Sequence, residues 1–237
     1  MQPIERRQFI LNLLDLEPRL TAEQVARLAY PTKEVKTTGS RQYPKTMESA
    51  RTMLSRMVTR KELKKQTFDF GVADLYMLPP TSKLKGYDKF RHEKGGADLF
   101  TSYYPHLKEL TAEGKYTGWS FEPSIGSDRG DRALRIDDFT LYFEVDRCTE
   151  GMKIVEQKIE SYMRHADRTR ERFHVVFAIM GDDNKIRLRG DSLTRLFASK
   201  KRGNQFLAAN HANLVKYPFG NFLMSPKDGA LSLRALQ

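Results

Sequence analysis

The sequence predicts an α+β chain in two parts, helices followed by a short β-hairpin in the N-terminal third and an α/β core beyond it. Three observations carry this expectation. Apolar residues recur at helical spacing over the first sixty positions, whereas strand-length apolar runs take over later. The stretch PTSKLKGYDKFRHEKGG, rich in Pro, Gly and charge, separates the two patterns. The second half then runs strand, strand, helix, strand, the order of an α/β unit.

Ile4, Phe9, Ile10, Leu13, Leu14 and Leu16 form a helical stripe that ends before Pro18. Thr21-Ala22-Glu23-Gln24 is a capping box that opens a second helix over 22–29, stopped at Pro31. After a polar loop, KTMESARTMLSRMVTRKEL reads as a third helix. Its buried face draws on Met47, Ala50, Met53 or Leu54, and Met57 or Val58, and its other face carries Lys45, Arg51, Ser55, Arg56 and Arg60. LKKQTF, with Lys64 and Lys65, and ADLYMLP read as two strands around Asp69-Phe70-Gly71. Three helices and a hairpin are the order of a winged helix-turn-helix, whose last helix enters the DNA major groove. Residues 1–80 are therefore expected to be this domain, 81–97 a linker and 98–237 the core. In the core, helices are expected over 98–113, 154–163 and 191–198, and strands over 132–136, 139–146 and 173–180.

The 237 residues allow one large domain or two small ones, and 39% hydrophobic content suffices for a core. No apolar run approaches the roughly 18–20 residues that a membrane-spanning helix needs. The N-terminus carries acids within its apolar pattern and reads as a helix instead of a signal peptide. Cys148 is the single cysteine, which excludes an intrachain disulfide and points to a reducing cytoplasm. A net charge of +11 favours nucleic acid or another anionic partner. The charge is uneven. Residues 31–65 hold ten Lys/Arg against three acids, while residues 119–146 hold three Arg against seven acids.

The acidic segment is the second candidate site. Glu144 and Asp146 leave the same face of one strand, about 7 Å apart. Asp137-Asp138 favours a turn and lies at the hairpin tip, far from Glu144. Antiparallel pairing instead returns Asp131 to the neighbourhood of Glu144 and Asp146, and Glu122 in WSFEP is a fourth oxygen donor. Three or four converging carboxylates need a hard divalent cation, and Mg²⁺ or Mn²⁺ fits oxygen ligands. Such an ion polarises a phosphodiester and activates a nucleophile, and Lys158 on the next helix supplies a cation for the phosphate. Spacing alone leaves a second reading open, in which Arg132, Arg135 and Arg147 neutralise these acids as surface ion pairs.

An Asp on the first strand of a hairpin and Glu-x-(Lys or variant) on the second, followed by a helix, resembles the PD-(D/E)xK restriction-endonuclease-like fold. GDRALRIDDFTLYFEVDRCTE, with Lys158 and Tyr162 beyond it and NLVKYPFGNFLMSP near the end, resembles the replication-relaxation family of plasmid proteins. In size and layout the chain is similar to MobC-type relaxases of mobilisable plasmids. The resemblance implies a metal-dependent, strand-specific nickase acting on double-stranded DNA at a transfer or replication origin, alongside other mobilisation or replication proteins. It places Asp131, Glu144 and Asp146 on the motif positions, and Lys158 and Tyr162 on the helix positions. Gly130 stands where Pro is usual, and Asp146 where Lys is usual. The alternative is a DNA-binding accessory protein or repressor whose nuclease-like core is silent.

Other chemistries find little support. The histidines, at 92, 106, 165, 174 and 211, do not cluster, and zinc needs closer His or Cys spacing. There is no phosphate-binding G-x-x-x-x-G-K-[ST] loop. Cys148 follows acids, which raise a thiol pKa. Tyr162 is the tyrosine nearest the acids and Tyr142 the second, and neither is assigned a covalent role. Lys200, Lys201 and Arg202 lie in a stretch free of acids between 192 and 217, which suits phosphate contacts or, equally, a basic solubilising loop.

Overall fold

The structure, a computed structural model, describes residues 1–30, 44–68 and 72–218, with the backbone alone at Pro44 and Lys45. The chain is an α+β protein that divides into two compact units, Met1–Thr101 and Ser102–Gln237.

The first unit contains α1 (Pro3–Leu16), β1 (Leu20–Thr21), α2 (Ala22–Ala29), α3 (Pro44–Thr59), β2 (Lys64–Gln66) and β3 (Leu75–Met77). The capping box at the start of α2 forms as the sequence predicts. The Gln24 N–H donates to Thr21 Oγ1 at 3.3 Å, and the Thr21 N–H donates to Gln24 Oε1 at 2.8 Å. Ile10, Leu13 and Leu14 of α1, Val25 and Ala29 of α2, and Ala50, Leu54 and Met57 of α3 are buried. Each larger side chain among them contributes about 1.5–3 kcal/mol on leaving water. The three strands pair antiparallel in the order β1-β3-β2, with Tyr76 between Leu20 and Lys65. Helix, strand, helix, helix, strand, strand is the winged-helix order, with β1 as a strand that periodicity does not reveal. The expected turn Asp69-Phe70-Gly71 lies outside the described residues.

The linker expected over 81–97 is helical from Tyr87, where α4 (Tyr87–Ala112) begins. The charge run and Gly95-Gly96 conceal a helical face on which Phe90, Glu93, Ala97 and Phe100 are buried. Lys89–Glu93 and Lys94–Asp98 pairs one turn apart support it. The division between the units therefore falls inside this helix instead of before it.

The second unit continues with β4 (Thr117–Phe121), β5 (Ser124–Ile125), β6 (Asp128–Arg129), β7 (Arg132–Ile136), β8 (Phe139–Asp146), α5 (Met152–Thr169), β9 (Arg172–Ile179), α6 (Asp183–Ala198), β10 (Phe206–Asn210) and α7 (His211–Lys216). The five-stranded sheet has the order β10-β9-β8-β7-β4. β4, β7 and β8 pair antiparallel, and β8, β9 and β10 pair parallel. Every residue of the central β8 is buried. On one face, Tyr142 packs with Val155, Ile159 and Tyr162 of α5 and with Leu193 and Phe197 of α6. On the other face, Phe143 meets Tyr103 of α4, ring centroids 5.1 Å apart. α6 starts well before the expected 191 because Asp182 caps it, accepting from the Lys185 N–H at 2.9 Å, and Gly190 is carried within it. Among the described residues, no helix is long and apolar enough to cross a membrane.

Candidate functional site

The antiparallel register from Arg132↔Phe143 to Ile136↔Phe139 carries one step further to set Asp131 opposite Glu144. The register of β4 with β7 likewise sets Glu122 opposite Asp131, and the Glu122 N–H donates to the Asp131 carbonyl at 3.0 Å. Glu122, Asp131 and Glu144 thus occupy one cross-strand row, on the strands that the hairpin pattern predicts. Asp137 sits at the hairpin tip with φ of 52°, where it accepts from the Tyr116 N–H, and Asp138 pairs with Arg172.

Glu144 is 3% exposed, and both its oxygens are engaged from α5. The Tyr162 hydroxyl donates to Oε1 at 2.6 Å, and Lys158 Nζ donates to Oε2 at 3.1 Å. Tyr162 and Lys158 lie one turn apart on that helix, which brings both to the same carboxylate. Burial first, and the Asp131 carboxylate second, push Glu144 up to about 7, against the opposing pull of Lys158 and Tyr162. Burial works against the charge on Lys158, but Glu144, Asp131 and Glu150 hold its ammonium above the ordinary lysine value. Asp131 fixes its own position by accepting from the Val145 N–H at 2.7 Å through Oδ2. Burial and Glu144 raise the Tyr162 phenol well above its ordinary value, so it is a donor to the carboxylate and a poor source of phenolate.

The other two carboxylates do not join this pair. Asp146 is 7% exposed and is neutralised by Arg189 of α6, whose Nε lies 2.6 Å from Oδ2, while the Cys148 N–H donates to Oδ1 at 2.7 Å. Glu122 leaves the strand with φ of 44°, and its carboxylate pairs with Arg129 at 3.2 Å. Among the described residues, no group of three or more His, Cys, Asp or Glu side chains is gathered to hold a metal ion. The four-carboxylate cage expected from spacing is therefore corrected to a two-carboxylate set. Asp131 and Glu144 fit Mg²⁺ or Mn²⁺ by chemistry, since Mg²⁺ commonly takes one or two protein carboxylates and fills its remaining positions with water and phosphate. The repulsion of the buried Glu144 carboxylate by Asp131 is what such an ion relieves.

Lys158 pairs with Glu144 and Arg189 with Asp146. The Arg132 guanidinium lies 4.3 Å over the Phe121 ring and donates to the Asp131 carbonyl. Burial and Asp146 raise the Cys148 thiol, as its position after the acids predicts. Arg189 lies 43 residues from Asp146, and no local pattern marks it. Gly130 is the second residue that pattern alone misses, because the space it leaves is taken by Tyr162 and Glu144.

On the first unit, Arg51, Ser55 and Arg56 share the exposed face of α3, Arg60 is exposed just past its end, and Lys64 and Lys65 are exposed on β2. Lys65 pairs with Asp74 across the hairpin at 2.7 Å. The side chain of Lys45 lies outside the described residues. The C-terminal cations differ from expectation. Lys200 is held by Glu156 at 2.5 Å and Glu160 at 3.4 Å, and Arg202 by Asp167 at 2.6 Å, all acids of α5. Lys201 is the exposed cation of that trio.

No protein-family model matches the chain, and no curated protein sequence matches it.

Proposed function

We propose that the chain docks on duplex DNA through α3 and the β2–β3 hairpin and nicks one strand, at a plasmid transfer or replication origin, using Mg²⁺ or Mn²⁺. The observation that carries this reading is the pairing of Asp131 with Glu144 across β7 and β8, with Lys158 on the same carboxylate. When bound, the ion polarises the phosphodiester and lowers the pKa of an attacking water. Asp131 and Glu144 are the residues that would hold it. Tyr162 orients Glu144 through its hydroxyl, and Lys158 keeps positive charge beside the place where negative charge grows on the phosphate. Arg51, Ser55, Arg56, Arg60 and Lys64 bind the duplex, largely through its phosphates.

A second reading is a DNA-binding accessory protein or repressor with a silent core. It is favoured by the engagement of both Glu144 oxygens and by the tie of Asp146 to Arg189. Purified protein with Mn²⁺ and supercoiled plasmid carrying its own origin separates the two. Nicked circles are expected from the wild type, and none from Glu144→Ala, which still binds DNA. Nicking that survives Glu144→Ala removes the carboxylate centre, and binding without nicking in either metal selects the second reading.

A further inference from the structure

The exposed face of α3 is basic with one exception, Glu48, which lines the same shallow surface as Arg51, Thr52, Ser55, Arg56 and Arg60. Glu48 is exposed, and among the described residues it forms no ion pair with Arg51 or Arg56. Arg51 lies one turn along the same helix and would neutralise it easily if neutralisation were its role. Glu48 thus presents a hydrogen-bond acceptor beside the cations of that surface.

We infer that Glu48 is a specificity-determining residue that reads a cytosine in the major groove, an inference that rests on the DNA-binding reading of α3. A carboxylate turned towards phosphates is repelled, so on a helix that enters the groove it is tolerated where a base edge donates to it. The major groove offers two such donors, the amino groups of cytosine and adenine. Adenine sets its N7 acceptor beside that amino group, which suits an amide and opposes a carboxylate. Cytosine presents the amino donor alone and pairs with Glu. Glu48 also lies in the N-terminal half of α3, the part of a recognition helix that reaches base edges. Arg56 and Arg60 lie farther along the same face and are left for the phosphate backbone.

The test is selection of bound sequences from a random duplex library by the full-length wild type, Glu48→Ala and Glu48→Gln, with thermal melts to show that all three fold. The wild type is expected to enrich a motif with cytosine at one position. Glu48→Ala should lose about tenfold or more of the discrimination there and keep the other positions. Glu48→Gln should shift that position towards adenine. Binding of Glu48→Ala to random duplex should be unchanged or tighter, since a like charge has gone. The same motif from all three proteins, or binding without any motif by the wild type, overturns the inference while leaving DNA binding in place. A wild type that binds no duplex overturns the DNA-binding reading and this inference with it.

Discussion

A Cβ at Gly130 would lie 2.5 Å from the Tyr162 hydroxyl oxygen, 2.9 Å from Ile125 Cδ1 and 3.4 Å from Glu144 Oε1. From sequence, glycine in place of the proline of the resembled motif looks inexpensive, because the metal-binding chemistry expected there belongs to the aspartate that follows. The structure gives the glycine a steric task instead, since Tyr162 needs the vacated volume to reach Glu144. Gly130→Ala should therefore destabilise the protein by about 1–3 kcal/mol, the usual cost of overpacking a tight interior. Part of that clash is with a single oxygen. In a double-mutant cycle read by denaturant unfolding, Gly130→Ala with Tyr162→Phe should cost less than the two single changes together, by at least about 0.5 kcal/mol. Additive costs would mean that Ile125 or the backbone, and not the Tyr162 hydroxyl, fills the space. The cycle also bears on Tyr162 as a positioning residue, because its hydroxyl has no other partner among the described residues.

At the scale of elements, α3 separates an apolar stripe (Ala50, Leu54 and Met57) from a cationic one. Among the described residues, the cations of that stripe form no ion pair that would have to break on binding DNA. Replacing Arg51 and Arg56 with Ala should weaken duplex binding and lower the slope of log affinity against log salt by about 0.9 for each phosphate no longer neutralised. Anisotropy titrations across salt concentrations measure this, and an unchanged slope would take α3 out of the interface. Elements of this kind are legible in sequence because their signals are local. The α2 capping box spans four residues, and β7 and β8 flank a turn-forming Asp-Asp pair. What is not legible depends on distant partners. β10 reads as part of a basic loop because Lys200 and Arg202 dominate its approach, although Phe206 and Leu207 are fully buried. The row of Glu122, Asp131 and Glu144 follows from strand pairing, but the left-handed bend that turns Glu122 outward does not. Arg189 takes Asp146 from a helix that lies far away in sequence, so two-residue spacing overstates the carboxylate set.

Over the whole molecule, the charge asymmetry of the sequence maps onto the two units. The cationic face of α3 belongs to Met1–Thr101, and the carboxylate row belongs to Ser102–Gln237. Each site draws its immediate partners from its own unit: Glu144 from α5 of the second, and Arg51 and Arg56 from a helix packed in the first. Changes at sites that share no partner should act additively. A ligand that binds only the folded state raises stability by mass action, so metal binding has a readout independent of cleavage. Saturating Mn²⁺ should raise the Tm of the wild type and of Arg51→Ala/Arg56→Ala by the same amount, and chelation should remove the increase from both. Glu144→Ala should show a smaller increase, because the loss of one of two carboxylates weakens the hold on the ion. Differential scanning fluorimetry with and without chelator makes the comparison. An equal rise in Glu144→Ala would place the metal elsewhere, and a smaller rise in the α3 variant would show that the two sites are coupled.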